Sequence, residues 1–291
     1  MTGALFITIF ILFHAAEPVT AQEATLKVGA DHFVFQHDVG KATRPITIWT
    51  YRPKATTSTA PVLFVMPGVQ RDGERSRDEW RPYAERDKAL VLVPEFSAAN
   101  FPGSGGYSAA KPGARSADDD PTPAPYSAME KIFDRAVKLA GVNAPDYRLY
   151  GHSAGAQFVH RFIMFNPTAR VKIAVAANAG WYMMPELETH FPYGLRGSGL
   201  TAESLKAALA KKLVILLGEK DTDPNHPQLS RTAQAKRQGV NRFERGQAFF
   251  RAAERQAEKL NVEFNWELRT VPNVAHSNAG MARAAAPLLL R

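Results

Sequence analysis

The chain alternates short, wholly apolar runs with segments in which apolar residues recur every three or four positions. The apolar runs fit strands that are covered on both faces of a parallel sheet, and the periodic segments fit amphipathic helices. This alternation predicts an α/β fold with a mostly parallel, doubly wound sheet and helices on both faces. The predicted central strands lie at 62–66, 89–94, 147–150, 171–177 and 213–218, and the helices at 75–86, 127–140, 202–211, 241–260 and 279–290, with another directly after residue 153.

Three further stretches extend this sheet. Residues 26–36 and 44–52 alternate polar and apolar side chains, which predicts two antiparallel strands joined by a turn near Gly40. Residues 262–271 are predicted to form the last strand. The whole sheet is therefore expected to contain about eight strands.

The first residues differ from the rest of the chain. An unbroken apolar run covers 5–13, and small residues at 19–21 fit the site that a signal peptidase cleaves. The run is too short for a membrane span. We expect a signal peptide at 1–21, a single domain at 22–291, a periplasmic or secreted location, and no stable membrane insertion after signal removal. An uncleaved N-terminal anchor is the alternative, and no Lys or Arg precedes the apolar run.

Two irregular segments, at 95–125 and 181–212, interrupt the alternation. Long irregular segments inside a compact domain usually carry function, and we expect both to lie over the active site. The first contains Asp118, Asp119 and Asp120. These aspartates lack the spacing of a calcium loop, so a solvated turn is expected there.

Composition narrows the classes of function. The absence of cysteine excludes thiol nucleophiles, thiolate zinc sites and iron–sulfur clusters. The net charge of +8 comes from scattered basic residues, without a recognition helix, a zinc finger or an RNA-binding signature. We therefore expect a solvated basic surface and no nucleic-acid partner.

One short segment carries a chemical signature. The strand at 147–150 runs into Gly151-His152-Ser153-Ala154-Gly155, in the pattern G-x-S-x-G. Glycines on either side let a strand and a helix approach a sharp turn, and the start of the helix offers free N–H groups to a developing oxyanion. The segment predicts a nucleophilic serine at position 153.

An activated serine needs a base, and the base needs an acid that orients it. His276 lies in the loop after the last predicted strand, and Asp221 lies just beyond the strand at 213–218. We predict His276 as the base and Asp221 as the acid, with Asp223 as the alternative acid. Asp221, Asp223 and His226 lie within six positions and could in principle bind a metal. Two carboxylates and a histidine are common near the acid of such a triad, so we expect no metal site.

The order serine, aspartate, histidine, each at the carboxyl end of a strand, is that of the α/β-hydrolases. Over essentially the whole mature chain, the sequence resembles α/β-hydrolase-fold serine esterases and is similar to the polyhydroxybutyrate-depolymerase-like and carboxylesterase-like members. The resemblance implies the α/β-hydrolase fold. It also implies that Ser153, Asp221 and His276 act as a catalytic triad without a cofactor.

An oxyanion hole requires two backbone N–H groups. We expect these from Ala154 and Val69, with Gln70 as the alternative to Val69. Many family members carry His-Gly in the loop after the first central strand, where this chain carries Pro67-Gly68. This difference leaves the backbone donor in place.

Aromatic residues near strand ends are candidates for the substrate pocket. Trp181 is the first choice, because residues 178–181 leave a strand end beside the predicted nucleophile. Tyr182 and Gln70 are the other predicted pocket residues.

These residues predict an exported serine hydrolase that cleaves small or oligomeric carboxylic esters through an acyl-enzyme intermediate. A peptidase or a thioesterase on the same fold is the first alternative, since the pocket and not the triad sets the preferred leaving group. A non-catalytic envelope binding protein is the second alternative. The sequence leaves the oligomeric state open.

Overall fold

The computed structural model describes residues 25–39, 42–110 and 125–291. Three predicted features lie outside the described residues. They are the signal peptide at 1–21, the turn near Gly40 and the acidic turn at 118–120.

One sheet of eight strands forms the centre of the molecule, as predicted. The strands are β1 Gly29–Val39, β2 Ala42–Arg52, β3 Val62–Met66, β4 Leu90–Glu95, β5 Tyr147–His152, β6 Val171–Ala177, β7 Leu213–Gly218 and β8 Trp266–Val271. Their order across the sheet is β1-β2-β4-β3-β5-β6-β7-β8. Pairing is antiparallel between β1 and β2 and between β2 and β4, and parallel for the rest of the sheet.

Helices cover both faces of this sheet. They are α1 Gly73–Asp87, α2 Tyr126–Ala140, α3 Ala154–Phe165, α4 Ala202–Leu209, α5 Ala233–Gln238, α6 Arg242–Leu260 and α7 Asn278–Leu290. Successive residues of β3 point to opposite faces. Phe64 belongs to the core beneath α2, α3 and α6, whereas Leu63 belongs to the core beneath α1 and α7. This two-sided burial explains why β3 carries no polar residue.

One predicted strand starts later than expected, and one short helix was not predicted. The last strand begins at Trp266 and not at residue 262. Asn261 ends α6 in a left-handed conformation (φ 48°), and the N–H of Val262 bonds back to Ala257, so these residues still belong to the helix end. The short helix α5 escaped prediction because Ala233–Gln238 has no apolar stripe, and Ala235 is its one buried apolar residue.

The described part of the first irregular segment packs into the core. Phe96, Phe101 and Tyr107 are fully buried. The rings of Phe96 and Phe101 meet edge to face at 5.0 Å, and the ring of Tyr107 lies 5.4 Å from that of Phe158 on α3. This segment therefore supports the helix that follows Ser153.

None of the helices within the described ranges combines the length and the apolar character that crossing a membrane requires.

Candidate active site

Ser153 lies on the turn between β5 and α3, in a backbone conformation that residues with a side chain rarely adopt (φ 58°, ψ −115°). Glycine is required on both sides of Ser153, because a larger residue would clash with the neighbouring backbone. A Cβ on Gly155 would lie 2.0 Å from the carbonyl oxygen of Met66, and a Cβ on Gly151 would lie 2.3 Å from the backbone of Gly155. The structure therefore has the sharp strand–turn–helix that the sequence predicts.

Hydrogen bonds join three side chains that follow β5, β7 and β8. Ser153 Oγ lies 3.0 Å from His276 Nε2, and His276 Nδ1 lies 2.7 Å from Asp221 Oδ2. A carboxylate only accepts hydrogen bonds, so Nδ1 carries a proton and its N–H donates a hydrogen bond to Asp221. Nε2 is then left to accept from the Ser153 hydroxyl. The structure thus brings together the three residues predicted as nucleophile, base and acid.

Asp223, the alternative acid, lies away from His276. It is exposed, and its carboxylate accepts a backbone N–H two residues further along in the turn after β7. Asp221 is buried and lies three residues after the end of that strand. A Cβ on Gly218 would lie 2.5 Å from the carbonyl oxygen of Val274, so a glycine is needed where the two loops cross.

Asn178 ties these two loops together. It follows β6 with a positive φ of 49° and is fully buried. Its Oδ1 accepts the N–H of Gly218 at 2.8 Å, and its Nδ2 donates to the carbonyl oxygen of Ala275 at 3.2 Å. The sequence analysis did not assign Asn178 a role. The available signal was an asparagine directly after a buried strand.

Asp221 has a second buried partner on α6. Nη1 of Arg242 lies 3.3 Å from Asp221 Oδ1, and Nη2 donates to His226 Nδ1 at 3.2 Å. Burial lowers the pKa of Arg242, and the Asp221 carboxylate opposes that shift. Arg242 therefore holds the carboxylate from the side opposite His276. Sequence reasoning missed it because it reads as one more cation on an amphipathic helix.

Two other imidazole rings flank His276. The centroid of the His152 ring lies 4.6 Å from that of His276, and the centroid of the His226 ring lies 5.3 Å away. Burial lowers the pKa of His152 well below its usual range, and the charges of His276 and Arg242 act in the same direction. Burial and the charge of Arg242 also lower the pKa of His226. Both flanking rings are therefore neutral near pH 7.

A cavity of about 280 Å³ opens beside Ser153 and His276. We call it the Ser153 cavity. Its lining is mainly polar and includes Gln70, Arg71, Asp72, Arg75, Glu79 and Asn278. No described residue of 95–125 or 181–212 is among those that line it, and the expectation that these segments lie over the site stays a prediction.

Val69 and Gln70 lie in the loop between β3 and α1 and face the Ser153 cavity. This loop is held at two points. The hydroxyl of Tyr107 donates to the carbonyl oxygen of Pro67 at 2.7 Å. The guanidinium of Arg71 donates to three backbone carbonyl oxygens between residues 96 and 103. The first irregular segment thus fixes the loop that carries the predicted oxyanion donors.

Ala154 is the first residue of α3. Its N–H is one of those at a helix start that have no acceptor within the helix. This is the N–H assigned above to the oxyanion hole, and that role stays a prediction.

The prediction that Tyr182 lines the substrate pocket is wrong. Its ring is fully buried and stacks on Phe249 at 4.5 Å. Trp181 also lies outside the residues that line the Ser153 cavity. Its ring packs over the guanidinium of Arg161 at 4.3 Å and against Tyr193 at 4.5 Å. Trp181 and Tyr182 follow the end of β6, but their place in the sequence does not give the direction of their side chains.

Among the described residues, no group of His, Asp and Glu side chains could hold a metal ion. The guanidinium of Arg242 binds both Asp221 and His226, two members of the group weighed as a metal site. The positive charge beside these two side chains thus comes from Arg242.

The sheet order, the turn at Ser153 and the hydrogen-bonded aspartate and histidine at the same sheet edge define the class. The fold is that of the α/β-hydrolases.

Comparison with solved structures identifies the family. The chain is 44% identical to poly(aspartic acid) hydrolase-1 from Sphingomonas sp. KT-1, covering 91% of this chain and 100% of that one, with a TM-score of 0.85. It is 36% identical to LpqC, a poly(3-hydroxybutyrate) depolymerase from Bordetella parapertussis, covering 90% and 89%, with a TM-score of 0.82. The chain belongs to the family of these two hydrolases, the polyhydroxybutyrate-depolymerase-like branch of the α/β-hydrolases.

An S-formylglutathione hydrolase from Agrobacterium tumefaciens shares the fold at 15% identity, with a TM-score of 0.59 over 91% of this chain and 95% of that one. No protein-family model and no curated protein sequence matches the chain.

Proposed function

We propose that this protein is an exported serine hydrolase that cleaves acyl bonds through an acyl-enzyme intermediate on Ser153. The observation that carries the proposal is the hydrogen-bonded path from Ser153 Oγ through His276 to Asp221, with distances of 3.0 and 2.7 Å. Such a path lets the imidazole take up the serine proton while the carboxylate stabilises the charged ring.

In the proposed mechanism, Ser153 Oγ attacks the carbonyl carbon while His276 Nε2 accepts the hydroxyl proton. The N–H groups of Ala154 and Val69 stabilise the oxygen of the tetrahedral intermediate. Collapse of the intermediate breaks the bond to the leaving group, which takes the proton from His276. A water molecule then attacks the acyl carbon and gives a proton to His276 Nε2. The bond to Ser153 Oγ breaks, the acid leaves, and His276 returns the proton to Oγ.

A carboxylic ester is the first proposed substrate, in keeping with the predicted esterase. The likeness to LpqC supports an oligomeric hydroxyalkanoate as one form of such an ester. An amide bond in an anionic polymer is the second candidate. The 44% identity with poly(aspartic acid) hydrolase-1 supports it.

Labelling with a fluorophosphonate probe tests the nucleophile. We expect labelling of the wild-type protein and none of Ser153→Ala. Absence of wild-type labelling, or equal labelling of the variant, would refute the proposed mechanism.

A substrate panel tests the bond. It would compare p-nitrophenyl acetate, an acyl thioester, an aminoacyl amide, poly(3-hydroxybutyrate) oligomers and poly(aspartic acid). Turnover of the amides alone would replace the ester proposal with the second candidate.

Export rests on the apolar run at 5–13 and the small residues at 19–21. N-terminal sequencing of protein recovered outside the cytoplasm should begin at Gln22. Retention of residue 1 would overturn the proposed cleavage.

A further inference from the structure

A second cavity, of about 420 Å³, lies apart from Ser153. One wall comes from the irregular segment at 181–212, with Glu186, Thr189 and Tyr193. The other wall comes from α5 and α6. Three arginines line this second wall, Arg237 from α5 and Arg251 and Arg255 from α6. We call this space the arginine cavity.

Among the described residues, these three arginines lack the acidic partner that several other surface arginines have. Arg75, Arg86, Arg170 and Arg269 each form an ion pair with a carboxylate. Within the described ranges, no ion pair and no side-chain hydrogen bond joins Arg237, Arg251 or Arg255 to another residue. Their donors are therefore free to bind a ligand.

Two of the three arginines lie on α6. Arg251 and Arg255 are four residues apart, so they are neighbours on the helix surface, and both line the cavity. Glu254 and Glu258 follow them by three positions but do not line it. The α6 wall of the cavity therefore contributes positive charge without a carboxylate.

Little on the opposite wall neutralises this charge. Glu186 is the one acidic residue among those that line the cavity, and its carboxylate already accepts the hydroxyl of Thr189 at 2.7 Å. Gln234 adds a side-chain amide that can donate hydrogen bonds. The cavity is therefore a concave site with an excess of donors and of positive charge.

We propose that the arginine cavity binds carboxylate groups of an anionic chain. The planar guanidinium fork matches a carboxylate in two parallel hydrogen bonds. Three such forks from two helices fit a ligand with several carboxylates better than a single small anion.

Tyr193 lines this cavity and packs against Trp181, which follows β6 at the sheet edge that also carries Ser153. The site can therefore hold part of a long chain on the same edge as the proposed nucleophile. Only this last role, as a substrate exosite, rests on the proposed function.

Direct binding tests the site without requiring turnover. Fluorescein-labelled poly(L-glutamic acid) would be titrated into full-length Ser153→Ala protein, and fluorescence anisotropy would give Kd. The test variant adds Arg237→Gln, Arg251→Gln and Arg255→Gln, which are exposed helix positions that accept glutamine. We expect Kd to rise at least about 10-fold, because three charge-assisted contacts are lost.

A matched control removes three exposed positive charges elsewhere, with Lys54→Gln, Lys172→Gln and Arg283→Gln. Thermal unfolding of both triple variants checks that they fold. Equal weakening by the control would show that net charge alone attracts the polymer, and absence of wild-type binding would also overturn the proposal. An oligonucleotide that bound as tightly, and lost binding in the same variant, would overturn the assignment to carboxylates. Because the probe is not cleaved, failure of the proposed hydrolysis leaves this result interpretable.

Discussion

The two cavities differ in how their charges are compensated. Behind the Ser153 cavity, Asp221 is bound by both His276 and Arg242, and in its lining Arg75 is paired with Glu79. In the arginine cavity, three guanidinium groups have no acidic partner within the described part of the chain. Internal pairing fixes side chains in the geometry that bond chemistry needs, whereas unpaired charge is available to a ligand. The first site should therefore depend on exact partners and on protonation, and the second on charge and on salt.

Replacing the serine should separate the two sites most strongly. Ser153→Ala is expected to lower kcat by at least about 10⁴-fold, because the remaining groups cannot form an acyl-enzyme. Binding of labelled poly(L-glutamic acid) should not change. Hydrolysis of p-nitrophenyl acetate and anisotropy titration of the same preparations measure both effects. A variant that kept a tenth of its activity would remove Ser153 from the mechanism.

Replacing Arg242, the buried partner of Asp221, should have the second-largest effect. Arg242→Met leaves the buried Asp221 carboxylate without its cation, which is expected to lower the free energy of unfolding by about 3 kcal/mol. We also expect kcat to fall by about 10-fold or more as the carboxylate loses its fixed orientation. Urea unfolding and steady-state kinetics measure these changes. Arg242→Lys should recover part of both, because it restores the charge but not the second donor to His226. Unchanged stability in the methionine variant would show that the pair is not structural.

Protonation distinguishes the cavities further. Burial lowers the pKa of His152 and of His160 well below their usual value. His160 donates from Nδ1 to the carbonyl oxygen of Ala156 and accepts the N–H of Met183 at Nε2, so it has no place for a second proton. Below about pH 6.5 the unfolded chain binds these protons and the folded chain does not. Stability should therefore fall with acidification, by up to about 1.4 kcal/mol per pH unit for each histidine.

Urea unfolding between pH 8 and pH 5 measures this slope. His160→Gln should show a shallower slope than the wild type. Arginine stays charged throughout, so binding to the arginine cavity should be constant from pH 8 to pH 6. Stability that rose on acidification would contradict the neutral state of the buried rings.

Salt should produce the smallest effect and act on the other cavity. Raising the NaCl concentration from about 50 to 500 mM is expected to weaken poly(L-glutamic acid) binding by roughly 5-fold, because screening shortens the range of exposed charges. The kcat/KM for p-nitrophenyl acetate should change by less than about 2-fold, since this substrate carries no charge and the Asp221 carboxylate is buried between His276 and Arg242. Equal salt sensitivity of both measurements would erase the contrast between the cavities.

The sequence predicted what depends on local pattern. The apolar run at 62–66 and the G-x-S-x-G turn each require one local geometry, and both occur where they were predicted. Asp221 and His276 could be placed because parallel strands bring their carboxyl ends to one edge. Their catalytic roles stay predictions, as do the oxyanion donors.

The remaining features depend on side-chain direction and on contacts between distant segments. Arg242 reaches Asp221 across 21 positions, and Asn178 reaches Ala275 across 97. Contacts between such distant positions leave no periodic pattern of residues in the sequence. Tyr182 was misplaced for the same reason, because an aromatic residue after a strand end can turn towards the cavity or towards the core. The arginine cavity needs α5, which has no apolar stripe, so its third arginine could not be grouped with the other two.

The backbone at Ser153 has a consequence for how this protein would respond to selection. A residue with a side chain at φ 58° and ψ −115° costs about 1–3 kcal/mol that glycine would not. The folded protein is therefore less stable with serine at position 153 than it would be with glycine. A variant library screened only for heat resistance should enrich for glycine at position 153 and so discard activity. For this chain, laboratory evolution needs a functional screen at every round.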